Sequence, residues 1–295
     1  MTIDRSRRRI LTSLAALPLL GSSLGFAAAA DPTPLVLAHL AKLEKSLNGR
    51  LGLFAWDTGT GRQLHYHADD AFPFCSTFKV LLTGAILQQE AEHPGLLQQS
   101  LRLRPADFVT YSPITENHRD EDVTISTLCA AALQYSDNTA ANLLIKQLGG
   151  PAAVTAFARN LGDQHFRLDR WETDLNSAIP GDQRDTTTPA AMGQDLHHLL
   201  LGKALPAPQQ AQLRQWLQGN TTGNKRIRAG VPSDWLVGDK TGTGSYGATN
   251  DVAVFWPPQR APIILAIYTT RTNKEALPRE DVIVAATESV IAWLG

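Results

Sequence analysis

Apolar side chains recur with a helical period shortly after residue 30 and again at the end of the chain. From Leu35 to Leu47 they occupy every third or fourth position, and Asn48-Gly49 follows, a pair that commonly ends helices. Asp281–Leu294 shows the same amphipathic period. The pattern therefore predicts one helix near each end of the folded chain.

Five short segments have the apolar pattern of strands. They are Leu51–Trp56, Gln63–His67, Trp235–Lys240, Val252–Trp256 and Ile263–Thr269. The first two flank a turn sequence and predict a hairpin. The region from about residue 75 to 220 is typical of helices with long loops, and no strand is predicted in it. This order favours an α/β fold of the α+β type, with one antiparallel sheet built from both chain ends, flanking helices and an inserted all-α lobe.

Residues 31–295 are thus expected to form one unit with two lobes. The α/β lobe would comprise about residues 31–74 and 221–295, and the all-α lobe about residues 75–220. Each lobe is long enough to bury a core of its own. A cleft between two such lobes is the first place to look for a ligand site.

The first 30 residues have the pattern of an export signal. Arg7-Arg8-Arg9 precedes the apolar run Ile10–Phe26, and the small residues at 27–30 offer cleavage sites. Ser6–Leu11 is similar to a twin-arginine signal, although an Arg-rich general secretory signal is the alternative. Either signal predicts a bacterial protein that is periplasmic or secreted. No later apolar run reaches about 18 residues, so no membrane anchor is expected.

Composition and charge narrow the classes of function. The chain is 43% apolar and 19% charged, which is ordinary for a globular protein. Its 27 basic and 28 acidic side chains give no electrostatic signature of nucleic-acid binding. Two cysteines cannot build a disulfide framework or a four-cysteine zinc site. We expect a monomer with no cofactor, no metal and no nucleic-acid partner.

Ser76 and Lys79 lie at the start of the buried helical run Val80–Leu87. A spacing of three places both side chains on one face of the first turn. A serine hydroxyl is a good nucleophile only when a neighbour takes its proton, and a lysine desolvated on an apolar helix can do so because its pKa is lowered. Ser-x-x-Lys is nevertheless common by chance and is weak evidence alone.

Two further motifs are equally weak when taken alone. Ser136-Asp137-Asn138 lies between two helical segments, where such residues ordinarily serve as helix caps. Lys240-Thr241-Gly242 lies at the end of a predicted strand. A lysine there can hold a carboxylate, and glycine lets the backbone approach a ligand, although a solvated lysine is the ordinary alternative.

In this order, the three motifs resemble those of the serine penicillin-recognising enzymes, which include class A β-lactamases and penicillin-binding proteins. The resemblance covers essentially the whole chain after the export segment and implies a β-lactamase/transpeptidase-like fold. Arg170–Asn176 is similar to the class A loop that carries the hydrolytic carboxylate. Glu172 and Asn176, four residues apart, would point the same way in one helical turn and hold one water. Arg170 and Asp185 resemble the pair that fixes the two ends of this loop.

The resemblance implies hydrolysis of penicillins and cephalosporins in two steps, which would confer antibiotic resistance. Ser76 would attack the lactam carbonyl, with the oxyanion bound by the backbone N–H groups of Ser76 and Thr243. Ser136 would pass a proton to the lactam nitrogen, and Lys79 would organise Ser76, Ser136 and Asn138. Glu172 with its partner Asn176 would then activate the water that releases the product.

Lys240 and Thr241 are implied to bind the antibiotic carboxylate, with Tyr111 on the opposite wall. Whether Lys79 or Glu172 takes the proton in acylation stays open. Two other functions also stay open, a cell-wall DD-peptidase or transpeptidase and a non-catalytic penicillin sensor. The first should lack Glu172 and usually keeps a membrane anchor, whereas the second would be acylated once and stall.

The chain departs from the class A pattern at two places. Many class A enzymes carry an arginine on the strand after the third motif, where this chain has Thr249, and we predict that Arg226 substitutes for it. Cys129 and Cys75 each match one half of a family disulfide whose partner is missing here. We therefore predict two buried free thiols, and the missing Cys75 bridge weakens a carbapenemase interpretation.

Overall fold

Five strands form one antiparallel sheet in the computed structural model, which describes residues 31–295. Their order across the sheet is β2-β1-β9-β8-β7. The strands are β1 (Gly49–Asp57), β2 (Gln63–Tyr66), β7 (Leu236–Thr243), β8 (Thr249–Trp256) and β9 (Ile263–Arg271). Because β9 pairs with β1, strands from the two ends of the chain meet in the middle of the sheet, which confirms the predicted fold class.

The apolar core has two layers, one on each face of the sheet, because successive side chains of the central strand β9 point to opposite faces. Ile263, Leu265 and Ile267 of β9 face the first layer, while Ile264 and Ala266 face the second. All five are fully buried, because both faces of the sheet are covered.

Two terminal helices cover the first face. These are α1 (Thr33–Leu47) and α8 (Glu280–Leu294), which pack against each other. Leu40 and Trp293 lie in their shared core. Both helices match the predicted segments, because the apolar period of 3.6 residues is complete within each segment.

Six helices lie between β2 and β7 in the chain. They are α2 (Lys79–Glu92), α3 (Ile125–Gln134), α4 (Asn138–Leu148), α5 (Pro151–Leu161), α6 (Pro189–Leu200) and α7 (Ala207–Gln218). The centre of this group is α2, which is buried from Lys79 to Leu87 and contacts α4, α5 and α7. Next to the sheet, α6 approaches β1 closely, since a Cβ at Gly193 would lie 2.3 Å from the Phe54 ring.

The expectation that the helical middle contains no strand was wrong in detail. Two short antiparallel pairs occur there or at its edge, formed by β3 (Phe72–Pro73) with β6 (Thr186–Thr187) and by β4 (Ser100–Arg102) with β5 (Asp122–Thr124). Segments of two or three residues are too short to show an alternating pattern, so the sequence carried no signal for them.

Two local boundaries also differ from the sequence interpretation. Strand β7 continues to Thr243, so Lys240-Thr241-Gly242 lies inside the strand and pairs with β8. Ser76 precedes the α-helix in a short 3-10 helix, Cys75–Phe78, and α2 begins at Lys79. The proposed export signal lies outside the described residues. None of the helices within residues 31–295 is long and apolar enough to cross a membrane.

Candidate active site

Ser76 lies in the 3-10 turn between β3 and α2 and is buried. The Phe74 ring stacks on Phe166 at 4.9 Å and holds this turn against the segment that leads to the Glu172 loop. Ser76 Oγ donates to Glu172 Oε1 at 3.3 Å. The nucleophile and carboxylate predicted from two distant motifs are therefore in direct contact.

The Lys79 ammonium is fully buried at the centre of the site. Its Nζ lies 3.0 Å from Glu172 Oε1, 2.7 Å from Asn138 Oδ1 and 2.8 Å from the Ser136 carbonyl oxygen. Burial lowers the pKa of Lys79 from its ordinary value, and the negative charge of Glu172 opposes that shift. Three acceptors match the three N–H groups of an ammonium, so these contacts favour the charged form.

Ser136 connects two buried lysines. Its Oγ lies 3.4 Å from Lys79 Nζ and 3.1 Å from Lys240 Nζ. The next residue, Asp137, is the N-cap of α4 and accepts from the Ala140 backbone N–H at 2.8 Å. The cap fixes the turn that presents the Ser136 hydroxyl to the two lysines.

Three non-glycine residues of the site have left-handed backbone conformations. The φ angles are 48° at Cys75, 59° at Ser136 and 62° at Tyr111. Such conformations cost free energy at ordinary side chains and persist only where the surrounding contacts enforce them. At Tyr111, one such contact is the Asn138 backbone N–H, which donates to the Tyr111 carbonyl at 3.0 Å.

Glu172 is held at both its side chain and its backbone. Asn176 Nδ2 donates to Glu172 Oε2 at 2.5 Å, as expected if the two side chains converge. The expected helical turn is not the cause, because Glu172 precedes the short 3-10 helix Asp174–Ser177. The Glu172 side chain is fully buried, so few water molecules compete for its carboxylate.

Asn142 was missed by the sequence analysis. Its side chain accepts from the Glu172 backbone N–H at 2.9 Å and donates to the Glu172 carbonyl at 2.8 Å. The available signal was its place four residues after Asn138, on the same face of α4. The sequence did not show which residue Asn142 contacts, so that spacing alone did not distinguish it from an ordinary helical asparagine.

Arg170 and Asp185 close the ends of the Glu172 loop, in agreement with the resemblance. Arg170 Nε lies 2.6 Å from Asp185 Oδ2, and Asp185 Oδ1 accepts from the Asp169 and Arg170 backbone N–H groups. Asp185 is 1% exposed. A buried carboxylate with a charged partner and two amide donors fixes the geometry of the loop.

The third motif lies against the Ser76 turn. A Cβ at Gly242 would be 2.7 Å from the Phe74 carbonyl oxygen, so only glycine allows this approach. Beside it, the Thr241 and Thr222 hydroxyls are 2.6 Å apart. Lys240 is fully buried, and both its burial and the charge of Lys79 lower its pKa well below the ordinary value.

Arg226 reaches the same edge of the sheet from the loop after α7. Its Nη2 donates to Thr243 Oγ1 at 2.7 Å, and its Nη1 donates to the carbonyl oxygens of Gly242 and Asn250, each at 2.8 Å. Thr249, the position that lacks the usual arginine, is fully buried and its hydroxyl donates to the Gly247 carbonyl.

One cavity of about 670 Å³ brings most of the predicted residues together. Eight of them line it: Ser76, Tyr111, Ser136, Asn138, Asn176, Arg226, Thr241 and Thr243. Lys79, Glu172, Lys240 and Gly242 lie behind this wall, in contact with the lining residues. Thr221 and Thr222 also line it and were not predicted. Tyr111, 61% exposed, lies at the rim.

Both cysteines are buried free thiols, as predicted. Burial raises the pKa of each thiol above its ordinary value, which keeps the thiols protonated and unreactive. A Cβ at Gly244 would lie 2.7 Å from Cys75 Sγ. Within residues 31–295, no group of three or more His, Cys, Asp or Glu side chains is arranged to hold a metal ion.

Comparison with known proteins shows the family of the chain. The model of the "Beta-lactamase enzyme family" matches residues 36–294. A β-lactamase structure from Desulfarculus baarsii DSM 2075 is 59% identical with a TM-score of 0.88, and the match covers 89% of this chain and 98% of that one. The carbapenem-hydrolyzing β-lactamase KPC of Klebsiella oxytoca is 52% identical over 98% of this chain and 97% of its own length. The β-lactamase CTX-M-6 of Salmonella typhimurium is 53% identical over 98% and 99%. The chain therefore belongs to the β-lactamase enzyme family, as a class A serine β-lactamase.

Proposed function

We propose that this β-lactamase opens the ring of penicillins and cephalosporins through an ester on Ser76. Ser76 Oγ forms a bond to the lactam carbonyl carbon, and the carbon–nitrogen bond of the ring breaks. The Ser76 proton passes to Glu172, and the lactam nitrogen takes a proton from Ser136. Lys79, which contacts both side chains, then gives a proton to Ser136 and recovers one from Glu172, so that Glu172 is ionised again. The backbone N–H groups of Ser76 and Thr243 bind the oxyanion, which is supported by the close approach of Gly242 to the Ser76 turn.

Glu172 is the favoured acceptor of the Ser76 proton. Ser76 Oγ already donates to its Oε1, whereas the Lys79 ammonium has all three N–H groups directed at other acceptors. Lys79 then supplies positive charge that stabilises both Glu172 and the developing negative charge on the substrate. This division of roles follows from the number of donors that an ammonium carries.

Hydrolysis of the ester needs a base beside Ser76. Since Ser76 Oγ and Glu172 Oε1 are 3.3 Å apart, a water next to them can lie within hydrogen-bond distance of both oxygens. Glu172 takes a proton from that water and the hydroxide attacks the ester carbon. The bond between Ser76 Oγ and that carbon then breaks, and Glu172 returns the proton to Ser76 Oγ. This buried contact is the observation that carries the proposal, and it favours a hydrolase over a transpeptidase or a sensor.

The substrate carboxylate is assigned to the edge of β7. Lys240, Thr241 and Thr243 supply a charge and two hydroxyls there, and Arg226 adds a guanidinium that contacts Thr243. Asn138 and Asn176 lie on the wall where the acyl side chain would lie, and Tyr111 closes the rim.

The proposal is tested by turnover of a chromogenic cephalosporin, with Glu172→Ala beside it and Glu275→Ala, an exposed glutamate, as the matched control. We expect many turnovers from the native protein and from the control. In Glu172→Ala, Lys79 loses its buried counter-charge and can accept the Ser76 proton, but no base activates water. The variant should release one equivalent and hold the acyl group on the Ser76 peptide, as mass spectrometry would detect. A single burst from the native protein would instead indicate a transpeptidase or sensor.

Export to the periplasm or medium is also part of the proposal, supported by the basic and then apolar pattern of residues 1–30. The near balance of charges supports a protein without a nucleic-acid partner, and we propose that it acts as a monomer. Size-exclusion chromatography of the mature protein tests whether it is a monomer. N-terminal sequencing after expression with the intact leader tests export.

A further inference from the structure

We propose that Asp251 is a positioning residue for Arg226. Asp251 lies in β8, directly opposite Thr241 of β7, and is fully buried. Its Oδ2 accepts from the backbone N–H of Ile227 at 3.0 Å. Ile227 follows Arg226 in the chain, so this bond fixes the backbone from which the guanidinium extends. The inference rests on the proposed role of Arg226 in binding the substrate carboxylate.

Adjacent residues of β8 hold Arg226 from two directions. The Asn250 carbonyl accepts from Arg226 Nη1 at 2.8 Å, while Asp251 holds the backbone just beyond the arginine. Arg226 itself has φ −119° and ψ −126°, outside helical and strand values. A loop residue in such a conformation needs anchors, and β8, an interior strand of the sheet, supplies one to the guanidinium and one to the backbone that follows.

The charges around Asp251 indicate which property of the side chain is used. Asp239, Arg226 and Lys240 face it from β7 and from the loop after α7. Burial and the nearby Asp239 carboxylate raise the pKa of Asp251 well above its usual range, so the neutral acid is favoured. A neutral carboxyl still accepts through its carbonyl oxygen, and an asparagine amide can do the same. The hydrogen bond to Ile227, rather than a negative charge, is therefore the property to test.

The experiment compares Asp251→Ala, Asp251→Asn, Arg226→Ala and the Ala/Ala double variant on a chromogenic cephalosporin and on its carboxylate ester. Asp251→Ala should raise KM for the free acid by up to about tenfold, the upper end of the effect of one hydrogen bond, with kcat nearly unchanged. Asp251→Asn should retain the native KM, since its amide oxygen accepts from Ile227. With the ester, which offers no carboxylate, Asp251→Ala should change KM little.

The double variant separates positioning from general loss of structure. If Asp251 acts through Arg226, then Asp251→Ala should add no further increase in KM to Arg226→Ala. An equal increase in both backgrounds, or the same increase for the ester, would overturn the inference. Should Asp251→Ala not fold, Asp251→Leu fills a similar volume without an acceptor and is judged by the same criteria.

Failure of the inference and failure of the proposed function give different results. An unchanged KM in Arg226→Ala contradicts the role of Arg226 itself. A raised KM in Arg226→Ala together with a native KM in Asp251→Ala contradicts only the positioning role of Asp251.

Discussion

Asp195 and Asp163 form a buried carboxyl pair between α6 and the segment that leads to the Glu172 loop. Asp195 is 1% exposed and Asp163 is 8% exposed, and within residues 31–295 the Oδ2 atom of each has no other hydrogen-bond donor. Asp163 Oδ1 accepts from the backbone N–H groups of His165 and Phe166, at 2.6 and 3.0 Å. Because Phe166 stacks on Phe74, this pair supports the turn that carries Ser76.

Burial and the adjacent Asp163 carboxylate raise the pKa of Asp195 well above its ordinary value, while Arg159 opposes the shift. The folded protein therefore keeps a proton that the unfolded chain has already released. A pKa that is higher in the folded state gives a stabilisation that is complete below the unfolded pKa and is lost as the pH rises through the folded pKa. Between the unfolded and the folded pKa of Asp195, the free energy of unfolding falls by about 1.4 kcal/mol for each unit by which the pH rises.

Asp195→Asn removes the titrating proton and keeps a donor to Asp163. We expect the free energy of unfolding of the variant, minus that of the native protein, to increase by about 1.4 kcal/mol per pH unit. Urea titrations at a series of pH values upward from about pH 5, above the unfolded pKa, measure it. Asp69→Asn is the matched control, since Asp69 is exposed and lines the same cavity of about 210 Å³ as Asp163, Asp195, His165 and His198. Parallel curves for Asp195→Asn and the native protein would refute the reasoning.

Three further outcomes are expected. Thiol titration of denatured, unreduced protein should count two groups, Cys75 and Cys129, and a count of zero would contradict the buried free thiols. Arg170→Ala should lower the thermal midpoint and the rate of deacylation, because it leaves the Asp185 carboxylate buried without its cation; an unchanged midpoint would count against this. The KM for a cephalosporin should rise with pH as Lys240 loses its proton, and this rise should lie below the pH range of an ordinary lysine because the pKa of Lys240 is lowered. Lys240→Arg should move the rise in KM to higher pH, since a guanidinium stays charged.

Features of local origin could be predicted from the sequence. The helices α1 and α8 and the strands β1 and β9 follow from apolar periods that are complete within each segment. The chemistry of Ser76 and Lys79 was also visible, since three residues of spacing at a helix start bring them to one face. The resemblance to a known family extended this to Glu172, which no local pattern would have distinguished from a solvated glutamate.

Contacts between distant segments depended on the tertiary structure. The clamp of Asn142 on the Glu172 backbone, the place of Arg226 beside Thr243 and the anchor from Asp251 join residues that no spacing relates. The same is true of the Asp163 and Asp195 pair. Sequence periodicity reports which side of an element is buried, but it does not report which other element lies against that side. Only the packing of the sheet, α4 and the loops decides which buried polar groups meet, because each must find its hydrogen-bond partner on a neighbouring element.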